Sequence, residues 1–167
     1  MVRFLVIGDF NAVLKKSLIK KVEKQEFDAI LALGDYGGDK RIGSITFKNW
    51  GKDWREVVGE KRAKQLLKED FDKSAKIVKW LNSFNKPVFF IFGNNDQFRK
   101  NILRASNDKN DLMKNAKKFK NFKYVHGKSI SFKGINIYGH GGFVTSDIYL
   151  NKKYSGYNYK KNLFNKR

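Results

Sequence analysis

Short apolar runs that alternate with amphipathic stretches dominate the pattern of hydrophobic and polar positions along the chain. Apolar runs occupy residues 2–7, where Arg3 is the one exception, 29–33 and 88–92. Such runs are typical of strands buried on both faces of a parallel sheet. Between the first two runs, apolar positions from Leu14 to Val22 recur on one face of a helix, with lysines opposite. A strand, a helix and a second strand in this order predict a right-handed crossover with parallel strands.

A longer helical pattern covers residues 54–84. Gly59 marks either a kink or the true start of this helix, and Pro87 ends it before the third strand. Residues 36–53 contain several glycines and show little periodicity, so we predict a long loop on the ligand side of the sheet. The loop has four candidate contacts to a phosphorylated substrate: Arg41, Lys48, Trp50 and Lys52. The alternative is a flexible flap that packs its tryptophans on the surface.

Past the third strand, the pattern predicts a polar loop, then a short helix and three short strands. The helix covers residues 111–118, and the strands cover residues 123–126, 129–132 and 135–138. A Lys133-Gly134 pair gives the last two strands a tight hairpin turn. We therefore divide the chain into a partial domain at residues 1–145 and a basic, tyrosine-rich tail at residues 146–167, which we predict to be poorly ordered.

Glycine followed by Asp or Asn ends each of the first three predicted strands, as Gly8-Asp9, Gly34-Asp35 and Gly93-Asn94. In open α/β sheets, ligands bind at the carboxyl ends of the strands, so Asp9, Asp35 and Asn94 should converge there. Two crowded carboxylates repel each other, and a bound cation relieves that repulsion. Oxygen ligands suit Mg²⁺, Mn²⁺ or Ca²⁺, and iron or zinc are alternatives if imidazoles join. The alternative is a metal-free α/β domain that uses Gly and Asp only for turns.

These strand ends carry a resemblance to the calcineurin-like metallophosphoesterases over residues 1–140. That family has, in order, the motifs D-x-H, G-D and G-N-H-D/E. The chain matches them with Asp9-Phe10-Asn11, Gly34-Asp35 and Gly93-Asn94-Asn95-Asp96. Asn therefore stands in place of a motif histidine at positions 11 and 95. The resemblance implies the α/β calcineurin-like phosphoesterase sandwich, here incomplete: the first sheet with its helices is present and the C-terminal sheet is missing.

The resemblance also implies two divalent metal ions (Mn, Mg, Fe or Zn) that activate a water and clamp a phosphate. By motif match, Asp9 would hold the first ion, Asp35 would bridge both, and Asn94 would bind the second. Asn11 stands at a metal-ligand position. Asn95 stands where the family has the histidine that helps the leaving group depart. Asn95 and Asp96 are the candidate catalytic residues, and His140 is a further candidate ligand.

Two motifs of the family, a lone His and G-H-x-H, have no match. The chain holds only two histidines, His126 and His140, so the full site cannot be assembled from it. We therefore expect a phosphomonoesterase or phosphodiesterase domain that is truncated or impaired, with very weak or no hydrolysis. The uncovered sheet face predicts self-association, or a complementary chain that supplies the missing half.

The net charge of +20 indicates polyanionic partners, either a phosphorylated small molecule or nucleic acid. A non-catalytic, basic nucleic-acid-binding module on the same fold is the alternative function. Biased composition is the alternative explanation of the charge, because lysines are spread along the whole chain. The absence of cysteine excludes disulfides and thiolate metal sites. No apolar run is long enough to span a bilayer, so we predict no membrane partner and a cytoplasmic location.

Overall fold

A parallel sheet of four strands forms the centre of the computed structural model, which describes residues 1–97 and 110–141. The strands are β1 (Phe4–Ile7), β2 (Ala29–Ala32), β3 (Val88–Phe90) and β4 (Phe122–Tyr124), and they lie in this order across the sheet. The α/β fold predicted from the apolar runs is confirmed. The predicted tail and most of the predicted polar loop lie outside the described residues.

Five helices and a hairpin accompany this sheet within the described ranges. The helices are α1 (Lys16–Val22), α2 (Lys40–Lys48), α3 (Trp54–Val58), α4 (Glu60–Ser83) and α5 (Leu112–Ala116). The antiparallel hairpin consists of β5 (Lys128–Phe132) and β6 (Ile135–Gly139). Of the described helices, none combines the length and the apolar character that crossing a membrane requires.

Helix α2 lies where we predicted an irregular loop at residues 36–53, so that prediction was wrong. The Asp39 side chain caps the helix by accepting a hydrogen bond from the Arg41 backbone N–H at 2.9 Å. Ile42 is buried in a small cluster with Trp54 of α3 and Leu66 of α4. Tertiary packing and a cap therefore stabilise a helix whose short length and internal glycine hide it from pattern analysis.

A glycine separates α3 from α4, so the predicted helix at residues 54–84 is two helices. Gly59 has a φ of +77°, a left-handed conformation that continues neither helix. Gly59 therefore marks the start of α4 and not a kink within one long helix. Helix α4 then runs along one face of the sheet and buries Ile77, Val78 and Leu81 in the main core.

Hairpin β5–β6 covers part of the opposite face of the sheet. The Phe132 ring packs edge-on against Phe4 of β1 and Phe89 of β3, with ring centroids 6.0 and 5.4 Å away. Toward the carboxyl ends of the strands this cover stops, and Val6 and Leu33 are 58% and 51% exposed. Because Val6 of β1 is exposed on this face, the prediction that β1 is buried on both faces was wrong.

Candidate functional site

One open cavity lies at the carboxyl ends of β1, β2 and β3, and Asp9, Asp35 and Asn94 all line it. Backbone hydrogen bonds hold the first two loops together beyond the strands. The Asp9 N–H donates to the Gly34 carbonyl at 3.0 Å, and the Asn11 N–H donates to the Asp35 carbonyl at 3.0 Å. The structure thus brings together the three strand-end residues that the sequence pattern predicted to converge.

The backbone of these loops is left-handed at three of the candidate residues. The φ angles of Asp9, Asn11 and Asp35 are 55°, 50° and 53°. Asp and Asn tolerate this conformation better than other side chains, yet each instance costs on the order of 1 kcal/mol and such residues cluster at functional sites. The strained backbone carries oxygen-bearing side chains to the edge of the sheet.

The loops after β2 and β3 pass so close to each other that both require glycine at the crossing. A Cβ atom on Gly34 would overlap the backbone of Gly93, and a Cβ atom on Gly93 would overlap the Asp35 carboxylate. The Gly-Asp and Gly-Asn pairs therefore do more than turn the chain. They allow the Asp35 side chain to lie directly against the loop that carries Asn94.

Both oxygens of the Asp35 carboxylate accept hydrogen bonds from Asn95. The Asn95 backbone N–H donates to Oδ1 at 3.0 Å, and its side-chain Nδ2 donates to Oδ2 at 3.1 Å. A carboxylate has about four acceptor positions, so Asp35 retains capacity for a further ligand. In the structure, Asn95 orients Asp35; its predicted catalytic role stays a prediction.

Asn11 contacts Asp9 in a similar way. Its Nδ2 donates to Asp9 Oδ1 at 2.7 Å. On the other side of Asn11 lies Gly38, with a φ of +113°, where an added Cβ atom would come within 2.9 Å of Asn11 Oδ1 and 3.2 Å of the Asn95 Cβ. The two asparagines at the motif-histidine positions are thus neighbours of one glycine loop.

Asp96 is fully buried and ties its own loop, after β3, to the loop after β2. Its Oδ2 accepts hydrogen bonds from the backbone N–H groups of Gly93 at 2.8 Å and Asp35 at 2.9 Å, and its Oδ1 accepts one from Gly37 at 2.9 Å. Burial raises the pKa of the Asp96 carboxyl to about 7, although these N–H groups favour its charged form. This geometry suits a residue that positions Asp35 and Asn94; the catalytic role predicted for Asp96 stays a prediction.

Asp70 of α4 is a second buried carboxylate, which the sequence analysis did not single out. Its Oδ1 accepts hydrogen bonds from the backbone N–H groups of Gly38 at 2.8 Å and Asp39 at 2.7 Å, and its Oδ2 accepts one from Gln97 Nε2 at 2.7 Å. The sequence feature that could have identified Asp70 is its position within the buried stripe of a helix, between Leu66 and Ser74. Asp70 thereby fixes the loop that leads from the site into α2.

His140 is not among the residues that line the cavity. Its ring lies 5.3 Å from the ring of His126, and the Gly141 N–H donates to His126 Nδ1 at 3.0 Å. Gly141 packs against the backbone of Phe92, just past the end of β3. The structure therefore supports a structural role for His126, and the ligand role of His140 stays a prediction.

The donor set of the cavity fits a hard divalent cation. Two carboxylates, from Asp9 and Asp35, balance the charge of one such ion, and the amide oxygen of Asn94 is a neutral hard donor. Asn11, the fourth predicted ligand, is not among the residues that line the cavity. Within residues 1–97 and 110–141, no group of three or more His, Asp or Glu side chains gathers in a way that could hold a metal. An all-oxygen set of this kind favours Mg²⁺ or Mn²⁺ over zinc.

Comparison with known proteins agrees with the motifs. The family model of the calcineurin-like phosphoesterases matches residues 2–166. One solved crystal structure superposes with a TM-score of 0.57 at 15% sequence identity, over 86% of this chain and 54% of that chain. This likeness shows the fold alone, and the chain spans about half the length of that structure. A search of curated proteins finds no match.

Proposed function

The chain belongs to the calcineurin-like phosphoesterase family, and from this membership we propose that it hydrolyses phosphoesters with the help of a divalent cation. The observation that carries the proposal is that Asp9, Asp35 and Asn94 line one cavity at the ends of three parallel strands. In open α/β sheets this edge is the usual position of a ligand site.

The proposed cation ligands are the carboxylates of Asp9 and Asp35 and the amide oxygen of Asn94, with Asn11 as a further donor. When bound, a divalent cation supplies Lewis-acid polarisation of the phosphoester. Asn95 holds the Asp35 carboxylate through both of its oxygens. Asp96 fixes the loops that carry Asp35 and Asn94. Two carboxylates suffice for one dication, so we propose one ion in this cavity; the second ion that the resemblance implies would need ligands besides these.

The side chain of Asn95 limits the rate in this proposal. An amide does not release a proton at neutral pH, and a positioned general acid contributes about 10²–10⁴-fold. We therefore propose slow turnover by this chain. The substrate class that the net charge favours is a phosphorylated small molecule or nucleic acid.

Hydrolysis of an activated aryl phosphodiester in the presence of Mn²⁺ tests the proposal. We expect slow, EDTA-sensitive turnover that Asp35→Asn abolishes, because the variant loses one of the two ligand charges. Asp72→Asn is the matched control, since Asp72 lies on the exposed side of α4 and pairs with Lys68. Turnover that survives EDTA or the Asp35→Asn substitution contradicts the proposal.

Asn95→His tests the assignment of the missing acid. An imidazole at this position can donate a proton, so we expect turnover at saturating Mn²⁺ to rise on the order of 10²-fold. Saturation is needed because the substitution removes the Asn95 Nδ2 hydrogen bond to Asp35. Single-turnover and steady-state rates of the variant and the wild type measure this effect. No increase in a variant that folds and binds Mn²⁺ would show that leaving-group protonation is not the limiting deficit.

A further inference from the structure

The turn that follows α2 presents two aromatic rings to solvent. Phe47, in the last turn of the helix, is 80% exposed, and Trp50, three residues later, is 55% exposed. Large exposed aromatic rings are unusual on a soluble surface and mark interaction sites when they lie together. We call Phe47, Lys48, Trp50 and Lys52 the α2 platform.

The α2 platform has a fixed backbone. The Lys52 N–H donates to the Asn49 carbonyl at 3.0 Å, which closes a tight turn with Gly51 at a φ of +91°. The Asn49 side chain donates to the Ile45 carbonyl at 2.9 Å and ties the turn to the helix. Beneath it, Trp54 is buried. A rigid turn keeps the rings exposed at a low cost in conformational entropy on binding.

Basic residues flank the two rings along the chain. Residues 40–55 contain five basic side chains, of which Arg41 pairs with Asp39 and Glu69, and one acidic side chain. That acid, Asp53, is neutralised by Arg55, whose Nε donates to Asp53 Oδ1 at 2.9 Å. Within the described residues, Lys48 and Lys52 take part in no ion pair, so their charges remain available to an anionic partner.

We propose that the α2 platform binds single-stranded nucleic acid. Aromatic side chains interleaved with lysines bind single strands by stacking on bases while the ammonium groups contact phosphates. A protein partner fits less well, because the cores of protein interfaces are depleted of lysine. The surface is distinct from the cavity at the strand ends: α2 begins at Lys40, after its Asp39 cap, and its nine residues extend about 13 Å from there.

Binding of nucleic acid to the α2 platform requires no metal, so it is measured in the presence of EDTA. The result is therefore independent of whether the chain hydrolyses phosphoesters. The probe is a fluorescein-labelled oligothymidylate, followed by fluorescence anisotropy. We expect the Phe47→Ala/Trp50→Ala variant to bind about tenfold more weakly or worse, because one stacked base contributes on the order of tenfold to the dissociation constant. Trp50→Phe retains a ring and should retain most of the affinity. Lys48→Gln/Lys52→Gln should reduce the salt slope by about two.

Two matched controls separate the α2 platform from the overall charge. Tyr138→Ala removes a ring that is 66% exposed on β6, and Lys20→Gln/Lys21→Gln removes two charges from the last turn of α1. Both controls should bind nearly as the wild type does. Equal losses in the platform and control variants would assign binding to the net charge and overturn the proposal. Absence of binding to the oligonucleotide, with or without binding to anionic lipid vesicles, would also overturn it.

Discussion

Asp96 illustrates at the residue scale how a buried charge organises this site. Its carboxylate accepts hydrogen bonds from three backbone N–H groups in two loops, at Asp35 and Gly37 after β2 and at Gly93 after β3. A buried N–H group that loses its acceptor costs about 1–3 kcal/mol. The side chain is therefore an internal crosslink between the loops that carry the candidate ligands, and its environment should be visible in the pH dependence of stability.

We expect the free energy of unfolding of the wild type to fall as the pH rises from about 5 to about 8. The folded-state pKa of Asp96 is about 7, above the value of about 3.9 in an unfolded chain. Between these values the folded protein holds a proton that the unfolded chain releases, so raising the pH favours unfolding. The expected contribution is on the order of 3 kcal/mol.

Urea denaturation of the wild type and Asp96→Asn at both pH values measures this contribution. The variant has no carboxyl group at this position, so its stability should change less over the same interval. Asp72→Asn, at an exposed position, should follow the wild type. Parallel pH profiles for the wild type and Asp96→Asn would show that Asp96 does not titrate in this range.

The convergence of Asp9, Asp35 and Asn94 was predictable from the sequence, because residues that directly follow parallel strands lie at the same edge of the sheet. An apolar run followed by Gly and Asp locates the residue at one edge of a parallel sheet. Asp70 was missed because its partners, Gly38 and Gln97, are more than 25 residues away in sequence. A single acidic residue in the apolar stripe of a helix indicates a buried carboxylate, but it does not identify the groups that donate hydrogen bonds to it.

At the scale of elements, α2, α3 and α4 form a unit that apolar periodicity only partly indicated. The long pattern of α4 was predictable because its buried stripe persists over 24 residues. Helix α2 has nine residues with Gly43 inside it, and isolated helices of this length are marginal. Its existence depends on the Asp39 cap and on contacts of Ile42 with distant residues, which no local window contains.

Two glycine substitutions should have opposite effects on this unit. Gly43 lies within α2, and a methyl group there would meet no other atom within 4 Å, so Gly43→Ala should stabilise the protein by about 0.5–1 kcal/mol. Gly59 has equally open surroundings but a φ of +77°, so Gly59→Ala should destabilise it by about 1 kcal/mol. Thermal unfolding of both variants tests the pair. The same sign for both would contradict the assigned helix boundary.

In the whole molecule, helices pack on one face of the sheet and the hairpin packs on part of the other. Hairpin β5–β6 covers the second face near Phe4 and Phe89, while Val6 and Leu33 remain exposed beside the candidate site. We expected an uncovered sheet face because two family motifs have no match in the chain. How much of that face is exposed was not predictable, because the hairpin packs through contacts between strands that are distant in sequence.

We propose that this exposed face pairs with a second copy when electrostatic repulsion is screened. The net charge of +20 opposes association at low salt, and the Debye length falls to about 3 Å at 1 M salt. Sedimentation velocity should show association of the wild type as salt rises, and reduced association of Val6→Thr/Leu33→Gln. Identical sedimentation of both proteins at every salt concentration would exclude this face as the interface.

In the proposed cation site, oxygen atoms from separate parallel strands hold a divalent cation at one edge of the sheet. Isothermal titration calorimetry with Mn²⁺ measures that binding, with Asp35→Ala and the exposed control Asp72→Ala titrated in the same way. We expect one bound ion for the wild type and the control, and none for Asp35→Ala. Equal Mn²⁺ binding by all three proteins, or no binding by a folded wild type, would contradict the proposal.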